Sequence, residues 1–243
     1  MEGKTVAELK QLAKTRGIKG FSKLKREELL TALATPPALP QPLTMVLDTE
    51  TTGLPDREAH ETYPPYTDVD KYAGARIVQW TWGLYDDAGK QVEMRDLIIR
   101  PDGFTIPAEA AAIHKITTEI AMAKGVPMSD AVEVFLRDIA RANVIVGHNI
   151  MFDLNVIKSE LHRIGKKHVI NAIDAKGYIC TMSNSRGICK LPQTGGRTGY
   201  KYPKLSESYK HLTGVAPDVA RLHNAVYDVE CTAACYFALL ARR

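Results

Sequence analysis

No apolar run in this 243-residue chain approaches the ~20 residues that a membrane span needs. Its first residues, MEGKTVAELKQLAKTRG, lack the apolar core of a secretory signal. An intracellular protein, cytoplasmic or nuclear and without a membrane partner, is the expectation. Cysteine is scarce. Cys180, Cys189, Cys231 and Cys235 show no C-x-x-C spacing, which argues against a zinc site and fits a reducing compartment. No internal repeat is present. With 45% hydrophobic and 25% charged residues, the composition is that of an ordinary globular protein of one large domain or two smaller ones.

Charge is unevenly spread. The net value is +4, and residues 1–33 hold eight Lys/Arg against four Glu, so the rest of the chain is balanced. Such asymmetry suggests an anionic partner for the N-terminus. Residues 35–43, TPPALPQPL, contain four prolines and no charge. Proline cannot continue a helix, so this stretch reads as a semi-rigid spacer between two units, 1–34 and 44–243. Before it, Thr5 and Glu8 form a capping-box pattern. Val6, Leu9, Leu12 and Ala13 make an apolar helical stripe closed by Gly17, and a second helix carries Leu29, Leu30 and Leu33. By itself this is a small helical hairpin with a solvated basic surface.

The second unit alternates element types. TMVLDTE, RIVQWTWGLYDD and QVEMRDLIIRP read as three strands in a meander, the last two joined by a turn at DDAGK. IPAEAAAIHKIT and MSDAVEVFLRDIARA read as helical, NVIVGHN as a short buried strand, and FDLNVIKSELHRIG and AVYDVECTAACYFALLARR as amphipathic helices. The resulting fold class is α/β, a mixed sheet flanked by helices.

Carboxylates accumulate where these elements end. Asp48 and Glu50 lie two apart on the first strand and therefore on one face. Two such charges about 4 Å apart repel by roughly 4 kcal/mol at an effective dielectric near 20, which a fold tolerates when something cationic sits between them. Asp153 falls in the first turn of the helix after GHN. Asp228 falls in the first turn of the last helix, with His223 on the loop before it. Singly, an Asp in a first turn is a dipole partner, a lone His is surface or satisfied core, and Asp-x-Glu is a polar strand edge.

Together, DTETTG, HNIMFD and HNAVYD resemble, in order, the three motifs of the DEDDh (DnaQ-like) 3′→5′ exonucleases, from about Thr44 to Leu240. RIVQWTWGLYD, IPAEAAAIHKIT and YKYPKLSESYKHLTG are also similar to connecting segments of that family. The N-terminal segment resembles the SAP motif and the N-terminal helical segment of the Rho termination factor, both nucleic-acid-binding modules. The resemblance implies a ribonuclease H-like exonuclease domain. It also implies that Asp48, Glu50, Asp153 and Asp228 hold two magnesium ions, replaceable by manganese, with His223 as general base. Oxygen-only ligands agree with those metals. Hydrolysis from a free 3′ end, releasing nucleoside 5′-monophosphates, would follow.

By position in the motifs, Thr51, Thr52, Gly53 and Leu54 would grip the terminal nucleotide. Ile113 and His114 would contact its base, and Asn149 and Phe152 would line the pocket. For Ile113 and Phe152 core packing is the plain alternative. The partner expected is single-stranded or 3′-overhanging DNA or RNA. The expectation leans to RNA, with DNA replication or repair close behind. A nucleic-acid-binding protein using an inactive exonuclease fold as scaffold is the competing reading. Two stretches stay open: the long segment 55–75, which fits a lid, a partner surface or a substrate contact, and GICKLPQTGGRTGYKYPK (187–204). The latter reads as a flexible basic loop whose Arg197, Lys201 and Lys204 touch phosphates or solvent.

Overall fold

The structure, a computed structural model, describes residues 4–15, 18–34, 42–57, 63–193, 195, 198–222 and 224–242. The chain divides into two units, Met1–Gln41 and Pro42–Arg243. The expected spacer lies outside the described residues over 35–41, as do Gly17, Arg197 and His223.

In the first unit, helices α1 (Val6–Thr15) and α2 (Arg26–Ala34) flank a 3₁₀ turn at Phe21–Lys23. The capping box forms: Thr5 N–H donates to Glu8 Oε2 (2.7 Å) and Glu8 N–H to Thr5 Oγ1 (3.4 Å). Lys25 N–H and Glu28 Oε2 (2.6 Å) tie down the start of α2 in a similar way. Leu9, Ala13, Leu29 and Leu33 are buried against one another. Val6, expected in this stripe, is exposed instead: it stands at the first position of α1, beyond the reach of α2's apolar side chains.

The second unit is built on a five-stranded sheet of order β3-β2-β1-β4-β5. The strands are β1 (Leu43–Thr51), β2 (Ile77–Tyr85), β3 (Gln91–Ile98), β4 (Ala142–Gly147) and β5 (Gly177–Cys180). β1 to β3 form the antiparallel meander, whereas β4 and β5 run parallel to β1. The helices are α3 (Ala108–His114), α4 (Thr118–Lys124), α5 (Met128–Ile139), α6 (Ile150–Arg163), α7 (Lys167–Asp174), α8 (Thr181–Cys189), α9 (Leu205–Thr213) and α10 (Ala225–Leu240). Among the described residues no helix is long and apolar enough to cross a membrane.

Alternation along β1 decides what each face meets. Met45 and Leu47 join the core that includes Trp80, Trp82 and Phe135 together with Leu154 and Ile157 of α6. Val46 points the other way, into Val229, Ala233 and Tyr236 of α10. Asp48 and Glu50 continue the α10 face, and Thr49 continues the α6 face. The parallel ladder between β1 and β4 reaches only to Val46 opposite Val146. Beyond it the two strands part, leaving a crevice at their C-terminal ends of the sort where open sheets bind ligands.

One reading changes. Gly187–Cys189 is the last turn of α8, not part of a loop. The segment 55–75, over its described part, is tied down: Tyr72 is buried, its hydroxyl donates to Pro64 O (2.7 Å), and Asp56 N–H donates to Lys71 O (2.7 Å).

Candidate active site

β1 delivers the first two carboxylates. Across the ladder Asp48 faces Thr81 and Glu50 faces Gln79, but those donors are committed elsewhere. Gln79 Nε2 (2.6 Å) and Thr81 Oγ1 (2.8 Å) both bond Asp96 Oδ1. A register shift between Glu50 and Thr51 then turns the chain out of the sheet. The third carboxylate comes from α10. Asn224 caps that helix, its side chain accepting from Tyr227 N–H (3.2 Å), and Asp228 occupies the first turn, buried. Ligand oxygens of Asp48, Glu50 and Asp228 all lie within 4.8 Å of one another.

Asp153 arrives from the opposite face. It sits in the first turn of α6, whose N-cap, Asn149, adopts a left-handed φ of 65° that Asn tolerates better than most residues. Where β1 has lost its β4 partner, Thr49 N–H (3.0 Å) and Thr49 Oγ1 (2.7 Å) both donate to Asp153 Oδ1. Thr49 thus orients Asp153, a role the sequence reading missed. Its signal was the position itself, between two acids on a strand, facing the helix that carries the next one.

The electrostatics are lopsided. Burial, reinforced by Asp153, Glu50 and Asp228, raises Asp48 well above the usual carboxylate range. Burial, then Asp228 and Asp153, pushes Glu50 up to about 7. Burial also raises Asp153, against the pull of the two Thr49 hydrogen bonds. Among the described residues no Lys, Arg or His forms an ion pair with Asp48, Glu50 or Asp153. The donor set is all oxygen, clustered and half-buried, which fits a hard divalent cation.

Beside the acids opens a cavity of about 690 Å³, bordered by Glu50, the Thr51–Leu54 turn, Ile113, His114 and Phe152. The turn is pinned from below. Thr52 Oγ1 donates to Gly74 O (2.9 Å) and accepts from Arg76 N–H (2.9 Å), and a Cβ on Gly53 would come within 2.9 Å of Gly74 O. Any other residue at 53 would push the turn away from Gly74. Leu54 is 70% exposed and Ile113 54%, so core packing does not account for either. Phe152 is half-buried, packing on the core while its ring meets Tyr63 at 6.2 Å. His114 is buried. Its Nδ1 accepts from Ile116 N–H (3.2 Å), so the neutral ring carries its proton on Nε2, which has no hydrogen-bond partner among the described residues. Burial holds its pKa below the ordinary value, with the Thr51 backbone beside it opposing.

Asn149 belongs to this cavity only indirectly: its side chain faces away and donates to Tyr63 OH (3.0 Å). His148, its neighbour, is a brace. Nδ1 meets Thr181 Oγ1 (2.9 Å), Nε2 meets Pro203 O (3.0 Å), and burial holds the ring neutral with a pKa near 4. In the 187–204 region Lys201 pairs with Glu207 (2.6 Å), and Lys204 N–H donates to Glu207 at the start of α9 (2.7 Å).

A family model described as Exonuclease matches residues 45–236, and one described as Rho termination factor, N-terminal domain matches residues 1–34. No curated protein matches the sequence. Among solved structures, the zinc-bound E. coli exonuclease I–ssDNA complex aligns with a TM-score of 0.61 at 17% identity, over 84% of this chain and 41% of that one. E. coli exonuclease I with a dT13 oligonucleotide gives 0.60 at 19% identity, over 83% and 41%. The chain therefore spans about two fifths of the length of those proteins, and at such identity the likeness speaks for the fold.

Proposed function

Since the chain belongs to the exonuclease family over residues 45–236, we propose that it is a metal-dependent 3′→5′ exonuclease releasing nucleoside 5′-monophosphates from single-stranded or 3′-overhanging nucleic acid. The observation that carries this reading is the knot of half-buried carboxylates, whose ligand oxygens lie within 4.8 Å of one another and in which Asp48 and Glu50 have no ion pair among the described residues. Asp48, Glu50 and Asp228 would hold one magnesium ion, and Asp48 with Asp153 a second, manganese being a substitute. Such a pair, when bound, activates a water and stabilises the leaving oxygen of a phosphodiester.

The chain's own residues do the rest. Leu54 and Ile113, exposed at the mouth of the 690 Å³ cavity, offer apolar surface to the terminal base. The Thr51–Gly53 turn, fixed by Thr52 and Gly74, sets the depth to which the terminal sugar enters. His114, buried behind the cavity wall with a neutral ring, would back the pocket for the terminal nucleotide. Thr49 keeps Asp153 aimed at the same point as Asp48. His223, immediately before the α10 cap, is assigned the proton of the attacking water, a contribution of about 10²–10⁴-fold. The basic unit 1–34 would act as a tether that raises the local concentration of strand ends.

A time course on 3′-blocked and 5′-blocked DNA and RNA of matched sequence tests the reading. It predicts mononucleotide release that requires magnesium and a free 3′ hydroxyl and that disappears in Asp48→Ala. Release from 3′-blocked strands at the same rate, or equal activity in Asp48→Ala, would overturn it.

A further inference from the structure

A second groove, of about 860 Å³, lies on the other side of Phe152 from the catalytic cavity. An aromatic pair links the two: Phe152 borders the first and Tyr63, whose ring it meets, borders the second. Asn149, the N-cap of α6, lines the groove and holds Tyr63 by its hydroxyl. From there the groove runs along β5 and α8 to Tyr178 and Tyr202.

Its chemistry is distinctive. The described lining includes three tyrosines and Arg57, with Met, Ile, Ser and Asn side chains between them, and no carboxylate. That contrasts sharply with the catalytic end. Tyr178 and Tyr202 are 55% and 52% exposed. Tyr202 is held in place. The guanidinium of Arg186 stacks on the Tyr202 ring at 4.4 Å, while Arg186 Nε is fixed to Tyr200 O (2.6 Å). Arg57 lies over Tyr63 at 5.8 Å. Half-exposed rings, with guanidinium groups against Tyr63 and Tyr202, in a groove whose described lining has no carboxylate, are what a single strand stacks on and tracks along.

We propose that this groove is the path of the strand upstream of the scissile bond, with Tyr178 and Tyr202 as stacking platforms for the nucleotides beyond the first on its 5′ side. Tyr63 is then the hinge between path and catalytic cavity, which gives the described part of the 55–75 segment its purpose. Stacking needs only a π-face, so the groove adds affinity and length preference without base preference. The proposal rests on the exonuclease reading for its direction, but the binding it claims does not need hydrolysis to be seen.

The test compares the full chain with Tyr178→Ala/Tyr202→Ala and with Tyr178→Phe/Tyr202→Phe, on a dinucleotide and on a 12-nucleotide strand. Steady-state kinetics is read alongside fluorescence-anisotropy titration of the 12-mer in an Asp48→Asn background. The alanine pair should raise KM and Kd for the 12-mer by roughly 5-fold to 100-fold. Dinucleotide KM and kcat should stay unchanged, and the phenylalanine pair should keep wild-type values. A 12-mer affinity indifferent to the alanine pair, or equal losses on both lengths, would overturn the groove as a strand path. If the wild-type chain releases no nucleotide yet the alanine pair still weakens 12-mer binding, the hydrolytic reading falls and the groove stands.

Discussion

Two sets of buried carboxylates in one domain are treated in opposite ways. Asp138 on α5 accepts from Trp82 Nε1 (3.0 Å), Arg95 Nε (3.2 Å) and Arg141 (3.4 Å). Glu160 on α6 takes Arg76 at 2.6 and 3.3 Å together with the Ile77 amide (3.3 Å). Each is matched with guanidinium and hydrogen bonds, as buried charge must be if it is to remain charged. Asp48, Glu50 and Asp153, on elements of the same sheet and helices, have no such cation among the described residues. The neighbours that might have relieved them, Gln79 and Thr81, are turned to Asp96 instead. The domain neutralises its structural acids internally and leaves one cluster for a charge that must come from outside.

Substitution breaks the two sets differently. In the cluster, Asp48→Asn keeps the shape and removes one negative charge. It should lower kcat by about 10³-fold or more, given the several kcal/mol that bound metal supplies to developing charge. The melting temperature of the metal-free protein should rise at the same time. A fall in that temperature would place Asp48 with the structural acids. Glu160→Ala should do the reverse. It strands Arg76, which is mostly buried, and should destabilise by about 3–5 kcal/mol in urea unfolding while leaving kcat per folded molecule unchanged.

Protonation distinguishes them as well. Because Glu50 is raised to about 7, the folded chain holds its proton where the unfolded chain has already lost it. Below about pH 4.5 both states are protonated and the cluster carries no penalty. As pH rises through 7 the penalty sets in, up to about 3 kcal/mol from this group. The difference in melting temperature between metal-free Glu50→Gln and wild type should therefore grow from pH 5 to pH 8 and shrink when magnesium is added. A flat difference would mean that Glu50 ionises freely.

The smallest effect sharpens the comparison at its boundary, since Asp153 takes two hydrogen bonds from Thr49. Thr49→Val removes the 2.7 Å hydroxyl bond at nearly constant volume and should lower kcat about tenfold, the equivalent of one charge-assisted hydrogen bond. Unfolding free energy should change far less than in Glu160→Ala. A stability loss as large as that of Glu160→Ala would make Thr49 structural only.

Much of this was legible in the sequence, for identifiable reasons. The meander and helices α5, α6 and α10 carry strong periodicity, and the acids sit at element ends, where motif order exposes them. α8 was not legible, because its buried face is Thr181, Ser185 and Cys189, a stripe of small and polar residues that hydropathy does not register. Ser185 bonds Ser208 of α9 instead (2.8 Å), packing the two helices through hydroxyls. β5, four half-exposed residues at the sheet edge, and the short α4 and α7 fall below the length at which a pattern repeats. The tertiary facts were out of reach for a different reason. That Thr49 reaches Asp153, and that Tyr63 joins Asn149, depends on residues 104 and 86 positions apart.

Calorimetric titration of manganese into the metal-free chain, with Asp48→Asn and Glu160→Gln beside it, bears most directly on the claim that the uncompensated acids await external charge. The account predicts stoichiometric binding to wild type, unchanged binding to Glu160→Gln, and its loss in Asp48→Asn. No binding to wild type, or equal binding to all three, would contradict it.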